Sequence, residues 1–92
     1  MPTVLKLGSY VLFFWLNETG EPVHIHVARG RPSKHATKFW LTAGGGCVLA
    51  SNGSRLSPKT LKSMERVITA NHTKICERWI ERFGAGSLRF HL

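Results

Sequence analysis

Two histidines separated by a single residue are the first candidates for chemistry in this sequence of 92 residues. On a β-strand His24 and His26 would share one face, with their side chains about 6–7 Å apart. Imidazoles titrate near neutral pH, so the pair could act as general acid and general base. Cleavage of RNA without a metal needs such a pair and a cation on the phosphate, for which Arg29 or Lys38 is suited. The alternative is structural, with one histidine packed in the sheet and the other solvated.

A metal site is a third interpretation of the histidine pair. Glu21, His35 or a cysteine would have to supply the remaining ligands. Cys47 and Cys76 are far apart in the sequence, whereas zinc sites usually contain a close Cys-x2-Cys pair. We therefore expect no bound metal, and in a reducing compartment both cysteines should be free thiols.

The charge of the chain favours an anionic partner. Thirteen Lys and Arg residues oppose five acidic residues, which gives a net charge of +8. No carboxylate occurs between Glu21 and Glu65. This balance is typical of proteins that contact nucleic acid, an acidic protein or an anionic membrane. The basic side chains of the stretch are Arg29, Arg31, Lys34, Lys38, Arg55, Lys59 and Lys62.

Part of this basic stretch is predicted to bind nucleic acid. Cations contact phosphates, and a neighbouring aromatic ring such as Trp40 can stack on a base. The alternatives are a solvated basic turn and a Trp40 that belongs to the core. The predicted nucleic-acid-binding residues are Arg29, Arg31, Lys34, Lys38 and Arg55.

The strands that must position these residues occupy the first half of the chain. Turn residues and alternation predict strands over residues 3–7, 10–16, 22–29 and 36–42, with a short edge strand over 47–50. The third segment alternates between Val23, Ile25 and Val27 on one face and His24, His26 and Ala28 on the other. Because the register of the next hairpin is unknown, Lys38 and Trp40 could share either face.

Residues 57–83 are predicted to be helical. Ser57 is suited as N-cap and Pro58 as the first helical residue, and Gly84 is a plausible stop. The middle, around Asn71, is poor in helix formers, so the sequence allows one long helix or two. The apolar stripe that should face the sheet is Leu61, Met64, Ile68, Ile75, Trp79 and Phe83. The tail, residues 88–92, is ambiguous and could add a strand.

These elements predict a single α+β domain over residues 1–92. An antiparallel β-meander of about four strands is followed by a C-terminal helix, one long or two short, that packs on one sheet face. A membrane span and a membrane partner are not expected, because the longest apolar run is far below ~20 residues. No signal peptide is recognisable, so we expect a cytoplasmic protein. The chain has no Asp and no phosphate-binding glycine motif, so no cofactor is expected.

Several segments of the sequence form a recognisable series. They are residues 2–5 with Gly8, 13–18, 21–27 with Gly30, 36–41 and 77–83. The Glu-Pro-x-His-x-His-Val and Lys-Phe-Trp-Leu pieces in this order are the most specific. Together the segments resemble the bacterial and phage domain of unknown function 4160 family over about residues 2–84. Members of that family tend to carry acidic residues between the His-x-His strand and the helix, and this chain has none there.

The resemblance implies a small set of functions. Family members look like one half of two-gene units and are commonly regarded as toxin–antitoxin components, and the family brings no established catalytic residues. We therefore expect a small toxin that cleaves or binds RNA and is neutralised by an acidic protein from the adjacent gene. The alternatives are a non-catalytic module that binds nucleic acid or a partner protein, and a histidine-based metal-binding protein. The sequence is compatible with a monomer and with a homodimer.

Overall fold

The sheet of the protein is an open antiparallel meander. The computed structural model describes residues 3–15 and 20–91. Five strands follow one another across the sheet in chain order, and each pairs antiparallel with the next. The strands are β1 (Thr3–Leu7), β2 (Tyr10–Phe13), β3 (His24–Arg29), β4 (Thr37–Leu41) and β5 (Cys47–Asn52). The predicted α+β class is confirmed, with a fifth strand because the edge segment is six residues long.

The second strand is shorter than the apolar run predicts. It ends at Phe13, and the next two rings lie on opposite faces of the sheet. Phe14 packs on Trp79 of the helical layer with ring centroids 5.2 Å apart. Trp15 packs edge-on against Phe13 on the other face, at 5.1 Å. Leu16, the last residue of the predicted strand, lies outside the described residues.

The helical half begins where the sequence predicts. Helix α1 spans Pro58–Ala70 and helix α2 spans His72–Phe83. Ser57 is the N-cap of α1, and its Oγ accepts the backbone N–H of Thr60 at 3.2 Å. Pro58 occupies the first helical position, where the missing N–H costs nothing.

The sequence left open one helix or two, and the structure has two helices separated at Asn71. The Nδ2 group of Asn71 donates to the carbonyl oxygen of Val67 at 2.8 Å. Such side-chain bonds to the backbone compete with helix continuation. Helix α2 ends at Gly84, as predicted. The φ of Gly84 is 96°, which is unfavourable for other residues.

The main core lies between the helices and one face of the sheet. Leu12, Ile25 and Phe39 are 0% exposed on this face and pack against the helices. The predicted apolar stripe is confirmed, because four of its residues are buried and two are partly buried against the core. Complete burial of an aliphatic or aromatic side chain contributes about 1.5–3 kcal/mol. The stripe residues are Leu61, Met64, Ile68, Ile75, Trp79 and Phe83.

The opposite face of the sheet is also covered at its centre. A second cluster contains Val11, Phe13, Ala28 and Ala36, with Trp15 packed against it. His26 joins this layer, and its ring stacks on Phe13 with centroids 5.5 Å apart. Both faces of β2 and β3 are therefore buried, as the aromatic run in the second strand predicts.

The C-terminal tail is not a strand over the described residues 88–91. It crosses the start of β3, where the carbonyl oxygen of Arg89 accepts the N–H of Val23 at 2.7 Å. Phe90 stacks on His72 of α2, with centroids 6.0 Å apart. Among the described residues, no helix is both long and apolar enough to cross a bilayer.

Candidate nucleic-acid interface

Four of the five predicted nucleic-acid-binding residues lie at one end of the sheet. Arg29 is the last residue of β3, and the turn that leads to β4 contains Arg31 and Lys34. Arg55 follows β5, whose last residue pairs with the first residue of β4. All four residues are exposed. We call these four residues the basic end.

A cavity of about 450 Å³ opens at the basic end. Its lining includes two guanidinium groups, an imidazole and several hydroxyls, and none of the lining residues is acidic. We call it the basic pocket, and such a set of charged and neutral donors suits a ligand with anionic oxygens. The lining residues are Tyr10, Ala28, Arg29, Ser33, His35, Ser54, Arg55, Leu56, Ser57 and Thr60.

Tyr10 holds the guanidinium group of Arg29 at the wall of the basic pocket. The two residues face each other in the β2–β3 pairing, and Nη2 of Arg29 donates to Oη of Tyr10 at 2.9 Å. The guanidinium carbon lies 5.4 Å from the centroid of the tyrosine ring. The hydrogen bond from Arg29 lowers the pKa of Tyr10, and the same bond raises the pKa of Arg29.

Arg55 occupies the left-handed backbone region, with a φ of 54°. This conformation costs a residue other than glycine about 1–2 kcal/mol. The side chain of Asn52 stabilises this conformation through two hydrogen bonds to the backbone of Leu56. Its Oδ1 accepts the Leu56 N–H and its Nδ2 donates to the Leu56 carbonyl oxygen, both at 2.9 Å. Strain of this kind often marks a functional position.

Gly53 lets the loop before α1 pass close to the β3–β4 turn. A Cβ atom at Gly53 would lie 2.7 Å from the carbonyl oxygen of His35 and 2.9 Å from that of Ala36. Oγ of Ser54 donates to the His35 carbonyl oxygen at 3.0 Å. The His35 N–H in turn donates to Oγ of Ser33 at 3.1 Å. These contacts fix the backbone of His35 beside the basic pocket.

Lys38, the fifth predicted residue, is separate from the basic end. The β3–β4 register pairs Lys38 with His26 and Trp40 with His24, which decides between the two faces that the sequence left open. Nζ of Lys38 forms an ion pair with Glu21 at 2.5 Å and lies 4.2 Å from the centroid of the Trp40 ring. The charge of Lys38 is therefore compensated within the fold.

The ring of Trp40 is partly covered by the C-terminal tail. His91 stacks on Trp40 with centroids 5.0 Å apart and an interplanar angle of 15°. A nucleic-acid base could stack on that side of Trp40 only after displacing His91. The half-buried ring is thus part of the packing on this face of the sheet.

The histidine pair shares one face of β3, as predicted, but both side chains are buried. His24 is 0% exposed and His26 is 8% exposed. Nδ1 of His24 donates to the carbonyl oxygen of Pro22 at 2.8 Å. Its ring centroid lies 5.0–5.4 Å from those of His26, Trp40 and Trp79. A general base must reach the proton that it removes, so this packing favours a structural role for His24.

The histidine pair lacks a third metal ligand within the part of the chain that the structure describes, where no group of three His, Cys, Asp or Glu could hold a metal. Glu21 binds a lysine, and His35 lies at the basic pocket. Cys47 and Cys76 are free thiols, and burial raises the pKa of both.

The hydroxyl groups of the basic pocket were not predicted from the sequence. The apolar run over residues 10–16 predicts a buried strand and gives Tyr10 no separate role. Its position opposite Arg29 depends on the β2–β3 register, which a long connection leaves open. The helix start at Ser57 was the one available signal, because it places that hydroxyl two residues after Arg55.

Comparison with known proteins finds one family. A family model described as Domain of unknown function (DUF4160) matches residues 9–80. All residues that line the basic pocket fall within this span. No curated protein and no solved structure matches the chain.

The Tyr10–Arg29 contact predicts an abnormal tyrosine titration. Tyr10 is the single tyrosine of the chain, so the ultraviolet absorbance of tyrosinate reports on it alone. We expect its pKa in the wild type to lie below the ordinary value of about 10, and to rise in Arg29→Met because the cation favours the phenolate. Arg31→Met removes the same charge from the neighbouring turn and should leave the midpoint almost unchanged. Equal midpoints in the wild type and Arg29→Met would contradict the contact.

The burial of His24 predicts that its removal affects stability more than binding. His24→Ala should lower the free energy of unfolding by about 2–4 kcal/mol, because it leaves a cavity among aromatic rings. His35→Ala is the matched substitution at an exposed position and should change stability by about 0.5 kcal/mol or less. Urea unfolding measures both variants. A His24→Ala protein of normal stability that loses an RNA-cleaving activity of the wild type would instead establish a catalytic histidine.

Proposed function

This chain belongs to the domain of unknown function 4160 family, and from that starting point we propose that it binds RNA through its basic end. The observation that carries the proposal is the basic pocket, where Arg29 and Arg55 meet with no acidic residue in the lining. Two guanidinium groups around one concave space are suited to phosphate oxygens, because their donors match phosphate geometry.

The order of the Arg29 side chain and of the Arg55 backbone supports binding over simple solvation. Tyr10 holds the Arg29 side chain, and the loop gripped by Asn52 fixes the backbone of Arg55. Groups that are ordered before binding lose less conformational entropy when the ligand arrives. Arg31 and Lys34 lie in the adjacent turn and would extend the contact along a phosphate backbone.

The hydroxyl groups of the pocket favour RNA over DNA. Ser33, Ser54, Ser57 and Thr60 line it beside Tyr10. The Ser54 and Ser57 protons are donated within the fold, but hydroxyl oxygens can still accept from a ribose 2′-hydroxyl. The basic end consists of a turn, a loop and the ends of strands. Single-stranded RNA can adapt to such a surface, because its backbone is flexible and its bases are unpaired.

The proposed function is binding without catalysis by the histidine pair. His24 and His26 share one face of β3 and are buried, and His24 also packs on Trp79 of α2. Arg29 lies on the other face of β3 and pairs with Tyr10. The buried pair supports the fold of β3, whose last residue is Arg29. Its contribution to binding would therefore be indirect.

An acidic partner protein from the adjacent gene is the second candidate occupant of the basic end. The absence of acidic residues from the pocket lining favours it as well, and it agrees with a toxin whose RNA-binding surface is covered by an antitoxin. Both occupants need the same cations, so they would compete. Recovery of the adjacent gene product together with a lack of RNA affinity would favour this candidate.

The proposal predicts a defined salt dependence of RNA binding. For single strands the logarithm of the binding constant falls by about 0.7 per phosphate contact with the logarithm of salt concentration. Four cations at the basic end give an expected slope of about −3. Fluorescence anisotropy of a labelled, unstructured RNA oligonucleotide at several salt concentrations measures it, with DNA of the same sequence as the test of RNA preference.

Single substitutions locate the contacts. Arg29→Met and Arg55→Met should each weaken RNA binding by about tenfold and reduce the slope by about 0.7. Lys74→Met removes the same charge from exposed α2 and should change the affinity only slightly. Equal losses in all three variants would show that net charge alone attracts the RNA, and an affinity that does not change with salt would refute phosphate contact.

A further inference from the structure

The basic pocket has more donors than an internal phosphate of an RNA strand can use. We propose that it receives a terminal phosphate monoester, the phosphorylated end of an RNA strand. This inference rests on the proposed function, because it takes RNA as the molecule that carries the phosphate. It adds one site for a strand end to the basic end, which otherwise contacts the phosphate backbone along the RNA.

The number of acceptor oxygens on the phosphate favours a monoester. An internal phosphodiester carries one negative charge and two oxygens outside the chain, whereas a monoester carries a charge of about −1.5 to −2 and three strong acceptor oxygens. The pocket offers the guanidinium groups of Arg29 and Arg55, each with five N–H donors. The two permanent positive charges match a dianion.

The hydroxyl group of Tyr10 also favours a phosphate ligand. Its oxygen accepts from Nη2 of Arg29, so its own proton is available for Thr60, its other side-chain hydrogen-bond partner, or for an acceptor in the pocket. A phosphate oxygen in the pocket is such an acceptor, and it would also bind Arg29. Tyrosine and arginine would then hold one oxygen ligand between them, in an arrangement that exists before the ligand arrives.

The position of Arg55 also favours an anion in the pocket. Among the described residues its side chain forms no hydrogen bond or ion pair, although its backbone is forced into the left-handed region. The hydrogen bonds of Asn52 to Leu56 therefore hold the backbone of an arginine whose side chain has no partner among the described residues. An anion in the pocket would give this arginine a partner.

The start of α1 is not the basis of the site. Ser57 and Thr60 line the pocket, but the Thr60 N–H is already bound by Oγ of Ser57. The volume of about 450 Å³ lies within the usual range for small-molecule pockets, about 300–1,000 Å³. It is larger than a phosphate needs, so the first nucleoside can enter with it.

The test compares RNA oligonucleotides of one sequence that differ only at their ends. A 5′-phosphate form, a 3′-phosphate form and a form with two hydroxyl ends are titrated into the full chain by isothermal calorimetry. We expect one phosphorylated form to bind about tenfold more tightly than the hydroxyl form, which also identifies the end. Arg29→Met and Arg55→Met should abolish this difference, whereas Lys34→Met should weaken all three forms to the same extent.

A second readout needs no RNA. Inorganic phosphate in the pocket would disfavour the phenolate of Tyr10, so its spectrophotometric pKa should rise as phosphate is added and should not rise in Arg55→Met. Circular dichroism of each variant confirms that it is folded.

The outcomes separate the two proposals. Equal affinity for all three oligonucleotides would overturn the terminal-phosphate site and leave RNA binding in place. No RNA affinity, together with a phosphate-dependent shift of Tyr10, would refute RNA as the carrier and assign the pocket to a small phosphorylated molecule. No shift and no affinity would overturn both proposals.

Discussion

The side chain of Asn52 is the contact on which the basic end depends. It is the last residue of β5, and its Oδ1 accepts both the Thr37 hydroxyl at 2.6 Å and the Leu56 N–H at 2.9 Å. Its Nδ2 donates to the Leu56 carbonyl oxygen. One amide thus ties β4, β5 and the approach to α1 together. Thr37 is 0% exposed and Leu56 is 8% exposed, so these polar groups would be costly to leave unpaired.

The hydrogen bonds of Asn52 also determine the path of the loop that lines the basic pocket. Because Asn52 binds the backbone of Leu56, the three residues between them form a tight turn. Each of the three makes a different contribution. Gly53 passes under the β3–β4 turn, Ser54 binds that turn, and Arg55 takes the strained conformation. The fold therefore stores strain at a basic residue, at the end of the sheet where β3 ends and β4 begins.

The two histidines lie on the face of β3 opposite Arg29. On one side of β3, His24 and His26 are packed among aromatic rings, and Lys38 pairs with Glu21. The end of β3 carries Arg29 into the solvent. A chain with a net charge of +8 thus compensates the lysine that lies inside the fold and leaves its outer cations available to an anionic partner.

Local signals in the sequence predicted the elements but not how distant elements meet. Alternation placed His24 and His26 on one face correctly, and Ser57 with Pro58 located the helix start. The burial of the two histidines could not be predicted, because it depends on Trp15 beside His26 and on Trp79 of α2 beside His24. Arg55 was predicted from charge alone, and Tyr10 was missed because its partner is nineteen residues away.

Replacing Arg55 with glycine tests the central claim most directly, because it removes the strain and the cation together. Release of the left-handed strain, about 1–2 kcal/mol, exceeds or balances the added entropy of the unfolded chain, about 0.4–1 kcal/mol. Arg55→Gly should therefore have an unchanged free energy of unfolding or gain up to about 1.5 kcal/mol, while its RNA affinity falls by about tenfold. A less stable Arg55→Gly protein with full RNA affinity would contradict the account.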